Sequence, residues 1–214
     1  MRMLICASTD FEIAPTIEFL REKRTTEVEC LVTGVGMTAA TYAITKAVLT
    51  SQPDFILQAG VAGSLDTVLE PGQTVLVKEE FIGDLGANEK TGFASVFDLG
   101  LLQKDEKPWT GGKLVNSGNL VYVTGLEAVS AVTVNEISTH PERIRLYRNQ
   151  GARIESMEGA ALHYVALKEN ISFLQLRSIS NFVGERNKSN WQMSRAIDEL
   201  NRNLQDLLTK LLNV

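Results

Sequence analysis

The sequence predicts one α/β domain spanning residues 1–214, built on a central mixed, mostly parallel, twisted sheet with helices on its flanks. Three observations predict it. Short apolar runs alternate with helical patterns from one end of the chain to the other, as layered α/β proteins require. At 214 residues and 44% hydrophobic, the chain suffices for one sizeable core and is short for two. Neither an internal repeat nor a linker interrupts the pattern.

The elements follow in order. Residues 2–8 read as a strand and 11–23 as a helix, then 26–33 as a strand and 37–51 as a helix opened by small residues. "DFILQAG" (54–60) is a third strand, and "QTVLVKEEFI" (73–82) a fourth, introduced by Pro71-Gly72. Residues 83–112 carry Gly, Asn, Lys and Pro without a period, which predicts a long surface excursion or lid. "GKLVNS" and "GLEAVSAVTV" resume strand character, and a helix over 135–149 is started or bent by Pro141. "ARIES" is a short strand, 157–169 a helix and 172–181 the last core strand. A closing helix over 190–212 places Trp191, Ala196, Ile197, Leu200, Leu204, Leu207, Leu208 and Leu211 at roughly helical spacing.

Net charge is −5 and the charges are scattered, which argues against a nucleic-acid or anionic-membrane surface. No apolar run approaches the roughly 18 residues of a membrane span. The first residues turn polar too soon for a signal peptide, so a cytoplasmic protein is expected, with Cys6 and Cys30 as reduced core thiols and no metal-ligand spacing.

Five segments carry candidate chemistry. "TGVGMTA" (33–39) has the Gly-x-Gly-x-x-Ala form of a dinucleotide turn, but the next strand ends in Gln58-Ala59-Gly60 rather than an acid, so a tight turn approaching something small is the simpler reading. "QAGVAGSLD" places Gly60 and Gly63 at a strand end, where the main chain passes close to a ligand or simply turns. In "ESMEGAALHYVA", Glu158 stands at a helix start, either as a dipole partner or as an acceptor for a sugar diol. Glu12, just past the first strand, has the same two readings. "SISNFVGERN" (178–187) ends a core strand on an amide, Asn181, at the strand end where ligands of α/β sheets sit. His140 and His163 read as structural, since no Ser-His-Asp order is apparent.

Taken together, Glu12, Gly34 with Gly36, "AGVAGSL", "MEGAA" and "RSISN" resemble the purine nucleoside phosphorylase and nucleosidase superfamily over nearly the whole chain. The resemblance implies cleavage of an N-glycosidic bond through an oxocarbenium-like transition state. It makes Glu12 the base that deprotonates water, Glu158 the holder of the ribose hydroxyls and Met157 the sugar's apolar floor, with Gly60 at the strand end. Arg177 and Ser180 support that strand end. Phosphorolysis needs arginines on phosphate; none lies between Ala7 and Ile17 or between Thr33 and Leu65, so water is the expected nucleophile. The resemblance implies no metal and no organic cofactor, a small nucleoside substrate and a homo-oligomer.

Adenine-releasing nucleosidases carry aspartic acid where this chain has Asn181. An amide can donate to N7 or O6, which suits a 6-oxopurine, whose edge presents two acceptors. "MEGAA" with "ISNFVGERNKSNW" is most similar to the futalosine hydrolases, which release hypoxanthine from futalosine in an alternative menaquinone route; methylthioadenosine nucleosidases and purine nucleoside phosphorylases are the alternatives. The benzoate of that substrate would need a cation, for which Arg186 is a candidate, an ion pair with Glu185 or a loop cap being the competing reading. The aromatic that nucleosidases stack on the base is missing from "VSAVTVNEI", so Phe93, Phe97 or Phe182 supplies it, or the base is held by its edges.

Overall fold

The computed structural model describes residues 1–90, 92–122 and 124–212; the last two residues of the expected 1–214 domain lie outside them. Strand β1 (Met3–Ala7) is buried throughout and leads into α1 (Asp10–Glu22). Edge strand β2 (Val28–Val32) and α2 (Met37–Ser51) follow, then the long strands β3 (Phe55–Ser64) and β4 (Thr74–Ile82). The aperiodic excursion contains a hairpin, β5 (Gly86–Glu89) with β6 (Gly92–Ser95). Next come β7 (Leu114–Val115), β8 (Ala128–Thr133), α3 (Pro141–Asn149), β9 (Ile154–Ser156), α4 (Gly159–Glu169), β10 (Ser172–Phe182) and α5 (Met193–Leu212).

The sheet is mixed, as expected. β1 pairs in parallel with β2 and β3, β3 with β10, and β4 and β9 with β8, whereas β10–β4, β3–β9 and β4–β7 are antiparallel. One feature has no local signal in the sequence: β3, β10, β4, β8 and β9 pair in a closed circuit, because β9 returns to the far end of β3. That closure draws the carboxyl ends of β1, β3 and β10 against the segment that follows β9.

Both faces of β1 are covered, which is why it reads as a continuous apolar run. Met3 and Ile5 pack with Leu57, Leu174, Leu200 and Leu204 under α5, while Leu4 and Cys6 pack with Ile44, Ile56 and Leu162 under α2 and α4. Each such leucine contributes about 1.5–3 kcal/mol by leaving water.

Four expectations need correction. The helix placed over 135–149 starts only at Pro141, a residue suited to a first helical position. The segment before it ties its amides to side chains instead: Asn135 N–H donates to Asp84 (2.7 Å) and Ser138 N–H to Glu155 (3.0 Å). Helix α4 begins at Gly159, so Met157 and Glu158 sit just ahead of it, and α5 begins at Met193, after a short turn that Asn187 caps. Cys6 is a core thiol, pushed up to about 12 by burial, but Cys30 is exposed because β2 is the sheet's edge.

Candidate active site

A cavity opens at the converging strand ends. Its walls include Ser8 and Glu12 after β1, Val61–Gly63 of β3, Glu155–Glu158 around the end of β9, and Ser180 and Asn181 of β10. Ile137, Val183, Trp191 and Met193 add apolar surface. Four glutamates, Glu12, Glu155, Glu158 and Glu185, line it, and no lysine or arginine does among the described residues.

Glu12 lies in the first turn of α1, and helix capping is what immobilises it. Its Oε2 accepts from Ser8 Oγ (2.5 Å), Thr9 N–H (3.0 Å) and Thr9 Oγ (3.1 Å); its Oε1 accepts from Val61 N–H (3.0 Å). The capping and the ligand-facing readings therefore describe one carboxylate. Its backbone is held from the opposite end of the chain. Pro15 interrupts α1, and buried Asn201 of α5 bridges the break, accepting from Thr16 N–H (3.1 Å) and Thr16 Oγ (2.6 Å) while donating to the Glu12 carbonyl (2.9 Å). A single asparagine among leucines at helical spacing gave no signal of this.

Glu158 is buried and lies across the cavity wall. The Gly36 N–H at the start of α2 donates to its Oε1 (2.9 Å), so the Gly-x-Gly turn approaches a carboxylate of the protein itself, with the helix dipole favouring the negative charge. Its Oε2 is 3.8 Å from Nη1 of Arg177. Arg177 is 1% exposed and donates to Gln58 (3.0 Å) and, through Nε (3.3 Å) and Nη2 (3.2 Å), to Gln175. Gln175 passes its amide hydrogens to Glu80 (3.0 Å) and to His163 Nε2 (3.3 Å); Thr133 Oγ donates to Glu80 (3.0 Å), and His163 Nδ1 faces the Leu114 carbonyl (3.0 Å). Burial pushes Glu80 up to about 8, against the lowering effects of Arg177 and Thr133. Burial pulls His163 down to about 3, which leaves its imidazole neutral. Sequence reading named Arg177 as support but missed Glu80, Gln58 and Gln175; each is a polar residue inside a strand, which alternation alone would place on a solvent face.

Gly60 lines no wall but makes room for this arrangement. It pairs with Arg177 across β3 and β10, and a Cβ there would collide with the guanidinium and come within 3.1 Å of Glu12 Oε1. At the end of β10, a bulge takes Ser180 out of register and sets Asn181 opposite Gly63. Bulges re-aim side chains in this way beside functional sites. Ser180 Oγ donates to Asn181 Oδ1 (2.8 Å), and Asn181 Nδ2 donates to the Phe182 carbonyl (2.9 Å), so the amide's orientation is set and one N–H remains.

The structure brings Glu12, Met157, Glu158, Ser180 and Asn181 together and leaves three other site candidates off the walls. Gly60 lies beneath them. Phe182 is 40% exposed and does not line the cavity. Arg186 stacks on Trp191, 5.7 Å from its centroid, and is one layer outside. Its expected partner Glu185 is instead bound by Asn187 N–H (2.6 Å) and Asn190 (2.8 Å). Nor do Phe93 and Phe97 supply a base platform: Phe97 packs on Trp109 (5.2 Å) and Phe93 lies under Arg143 (5.3 Å). Among the described residues, Trp191 is the aromatic that lines the cavity.

The model of the phosphorylase superfamily matches residues 14–213. A futalosine hydrolase of Thermus thermophilus is 30% identical over 184 residues, covering 84% of this chain and 80% of that one. Another, of Acidothermus cellulolyticus, is 27% identical over 184 residues, 83% of this chain and 74% of its own length. Among solved structures, the futalosine hydrolase of Helicobacter pylori superposes with a TM-score of 0.79 at 16% identity, covering 98% of each chain. The 5′-methylthioadenosine/S-adenosylhomocysteine nucleosidase of the same organism, bound to butyl-thio-DADMe-Immucillin-A, superposes at 0.80 and 17%, covering 98% of this chain and 99% of that one. At such identities the solved structures speak for the fold.

Proposed function

This chain belongs to the phosphorylase superfamily, and we propose that it is an N-glycosyl hydrolase that cleaves futalosine with water to hypoxanthine and dehypoxanthinyl futalosine. The observation that carries this is Asn181, an amide of fixed orientation, in one cavity with Glu12 and Glu158. The futalosine hydrolase relatives support the substrate.

Glu12 takes a proton from water as the oxygen attacks C1′ of the ribose. The C1′–N9 bond breaks and its electron pair passes into the purine. The free Asn181 Nδ2–H donates to N7 or O6 and stabilises the charge that gathers there, and the departing hypoxanthine anion takes its proton from solvent. Glu158 accepts from the ribose hydroxyls and attracts the cationic ring as it develops, an interaction stronger in the transition state than in the ground state. Met157 floors the sugar and Ser180 orients Asn181. The four glutamates on the walls repel a phosphate dianion, which favours water. Exposed Phe11, Tyr42 and Leu49 leave apolar surface that a second copy of the chain would cover, in keeping with a homo-oligomer.

The test is chromatographic: free base released from futalosine, inosine and methylthioadenosine, each with and without phosphate. Phosphate-independent hypoxanthine from futalosine is expected, and Glu12→Gln is expected to lower kcat by about 10²–10⁴-fold, with about 1 kcal/mol of stability lost because one of the two accepting oxygens at the start of α1 becomes a donor. Adenine from methylthioadenosine at a comparable rate would replace this reading with an adenine-releasing nucleosidase.

A further inference from the structure

Glu80 is fully buried and lies behind the cavity walls, yet each of its carboxylate oxygens carries one arm of a path to Glu158. The first arm runs to the main chain. Helix α4 starts with Glu158 at its N-cap position, but the Glu158 side chain does not cap its own helix. A residue of β8 does so instead: Thr133 Oγ accepts from Ala160 N–H (2.8 Å) and donates to Glu80 Oε2 (3.0 Å). A hydroxyl has one hydrogen, and Glu80 takes it, which leaves a lone pair turned to the helix start. With that amide served from β8, the Glu158 carboxylate is free to face the cavity and to accept from Gly36 N–H (2.9 Å).

The second arm runs to the side chain. Glu80 Oε1 accepts from Gln175 Nε2 (3.0 Å), which fixes the way that amide points. Gln175 Oε1 then accepts from Arg177 Nε (3.3 Å) and Nη2 (3.2 Å), and Nη1 of the same guanidinium stands 3.8 Å from Glu158 Oε2. Gly159 brings the two arms together. A Cβ there would collide with Glu80 Oε1 and with Gln175 Oε1, so only a residue without one lets the first turn of α4 rest on the pair. One buried carboxylate thus holds the neighbouring Glu158 both by its main chain and by its charge.

We propose that Glu80 is a positioning residue for the reaction: through Thr133 and Gln175 it sets where the Glu158 carboxylate stands against the ribose hydroxyls. This rests on the reading of Glu158 under the proposed function and deepens it. An amide in place of Glu80 cannot serve both arms, since it has one accepting oxygen where the carboxylate has two. Its NH2 faces either the Gln175 donor or the Thr133 hydroxyl, and the arm it faces turns away.

The test is kcat/KM of wild type, Glu80→Gln, Thr133→Val and Glu158→Gln on futalosine and on its 2′,3′-dideoxy counterpart, which lacks the ribose hydroxyls. Glu80→Gln is expected to lower the ratio of futalosine to dideoxy cleavage by about 10–100-fold, in kcat more than in KM, as is expected of Glu158→Gln. Should Glu80→Gln not fold, Thr133→Val decides in its place, because it breaks the main-chain arm with Glu80 present; the same direction is expected. A folded deciding variant that keeps the wild-type ratio while Glu158→Gln lowers it would overturn the role of Glu80 alone. A Glu158→Gln that keeps the ratio would overturn the ribose-holding role in the proposed function, and this inference with it. Free hypoxanthine gives a readout without turnover. Its inhibition constant is expected to change by less than about twofold in the deciding variant, because it engages Asn181 and not Glu158. A weakening as large as the loss on futalosine would show a cavity loosened throughout and would overturn the positioning role.

Discussion

Strand β10 has two halves that meet at its bulge, and they handle polar groups in opposite ways. Before the bulge, Gln175 and Arg177 are fully buried and spend their hydrogen bonds on one another and on Gln58, Glu80 and His163. After it, Asn181 is half-buried with an N–H to spare, Phe182 turns to solvent, and Glu185 to Trp191 bond within their own loop. In the buried half Gln175 and Arg177 belong to a network whose members position one another, and only the Ser178 hydroxyl beside them, away from the cavity, has no partner among the described residues. The rim half leaves groups unmatched, and unmatched groups are what a ligand can satisfy. The difference teaches that polarity in a strand does not by itself mark a contact with substrate; spare hydrogen-bonding capacity on the cavity wall does.

Substitutions in the two halves are therefore expected to separate stability from selectivity. Arg177→Met, which removes the cation beside Glu158 and the donor to Gln58 and Gln175, is expected to destabilise the fold by about 3–5 kcal/mol in denaturant titration. A loss confined to activity would break the comparison. Asn181→Asp is expected to leave the unfolding midpoint nearly unchanged and to lower kcat/KM for the 6-oxopurine nucleoside by about 10–100-fold, the range for mispairing a buried edge.

The buried half also predicts a pH dependence. Burial lifts Glu80 from its ordinary value near 4.5 to about 8. Its contribution to stability is thus complete below about 4.5 and declines as pH rises towards 8, with a slope of about 1.4 kcal/mol per pH unit. His163, lowered from 6.5 to about 3, acts on the other side: its contribution is complete above 6.5 and declines as pH falls towards 3. Thermal melts from pH 4 to 9 of wild type and Glu80→Gln would sharpen this: in the wild type the two slopes offset one another between 4.5 and 6.5 and stability declines from 6.5 towards 8, whereas the variant is expected to gain stability up to 6.5 and then level off. The smallest effect is expected from Arg186→Ala. Stacked on Trp191 outside the cavity, it should change kcat/KM by less than about tenfold, the loss on futalosine exceeding that on inosine only if the guanidinium reaches the 5′ substituent.

The elements that could be read in advance are those whose signal is local. The buried strands, α2 and the leucine face of α5 follow from periodicity, and Glu12, Glu158 and Asn181 stand at strand or helix ends that the chain marks with short polar motifs. What escaped depends on partners distant in sequence. Residues 135–140 were expected to be helical because nothing local shows that their amides bond to Asp84 and Glu155. Cys30 was expected in the core because an edge strand and a central one can share the same apolar run. Phe93, Phe97 and Phe182 are the aromatics the sequence offers for a base platform, yet none lines the cavity, where Trp191 is the aromatic among the described residues, since aromatic character says nothing of direction.

By itself, the sequence determined an α/β protein with two carboxylates and an amide in an ordered set of motifs, and the resemblance of that set to nucleoside phosphorylases and nucleosidases implied nucleoside cleavage. Those signals survive in a linear chain because hydrophobic period and end-of-strand chemistry act within a few residues. Only the tertiary structure decided that the sheet closes through β9 and that Asn201 repairs the helix beneath Glu12. It alone placed Glu155 and Asn181 on either side of Gly63. Each of those is a register between strands or helices distant in sequence, and register is set by the packing of the whole core.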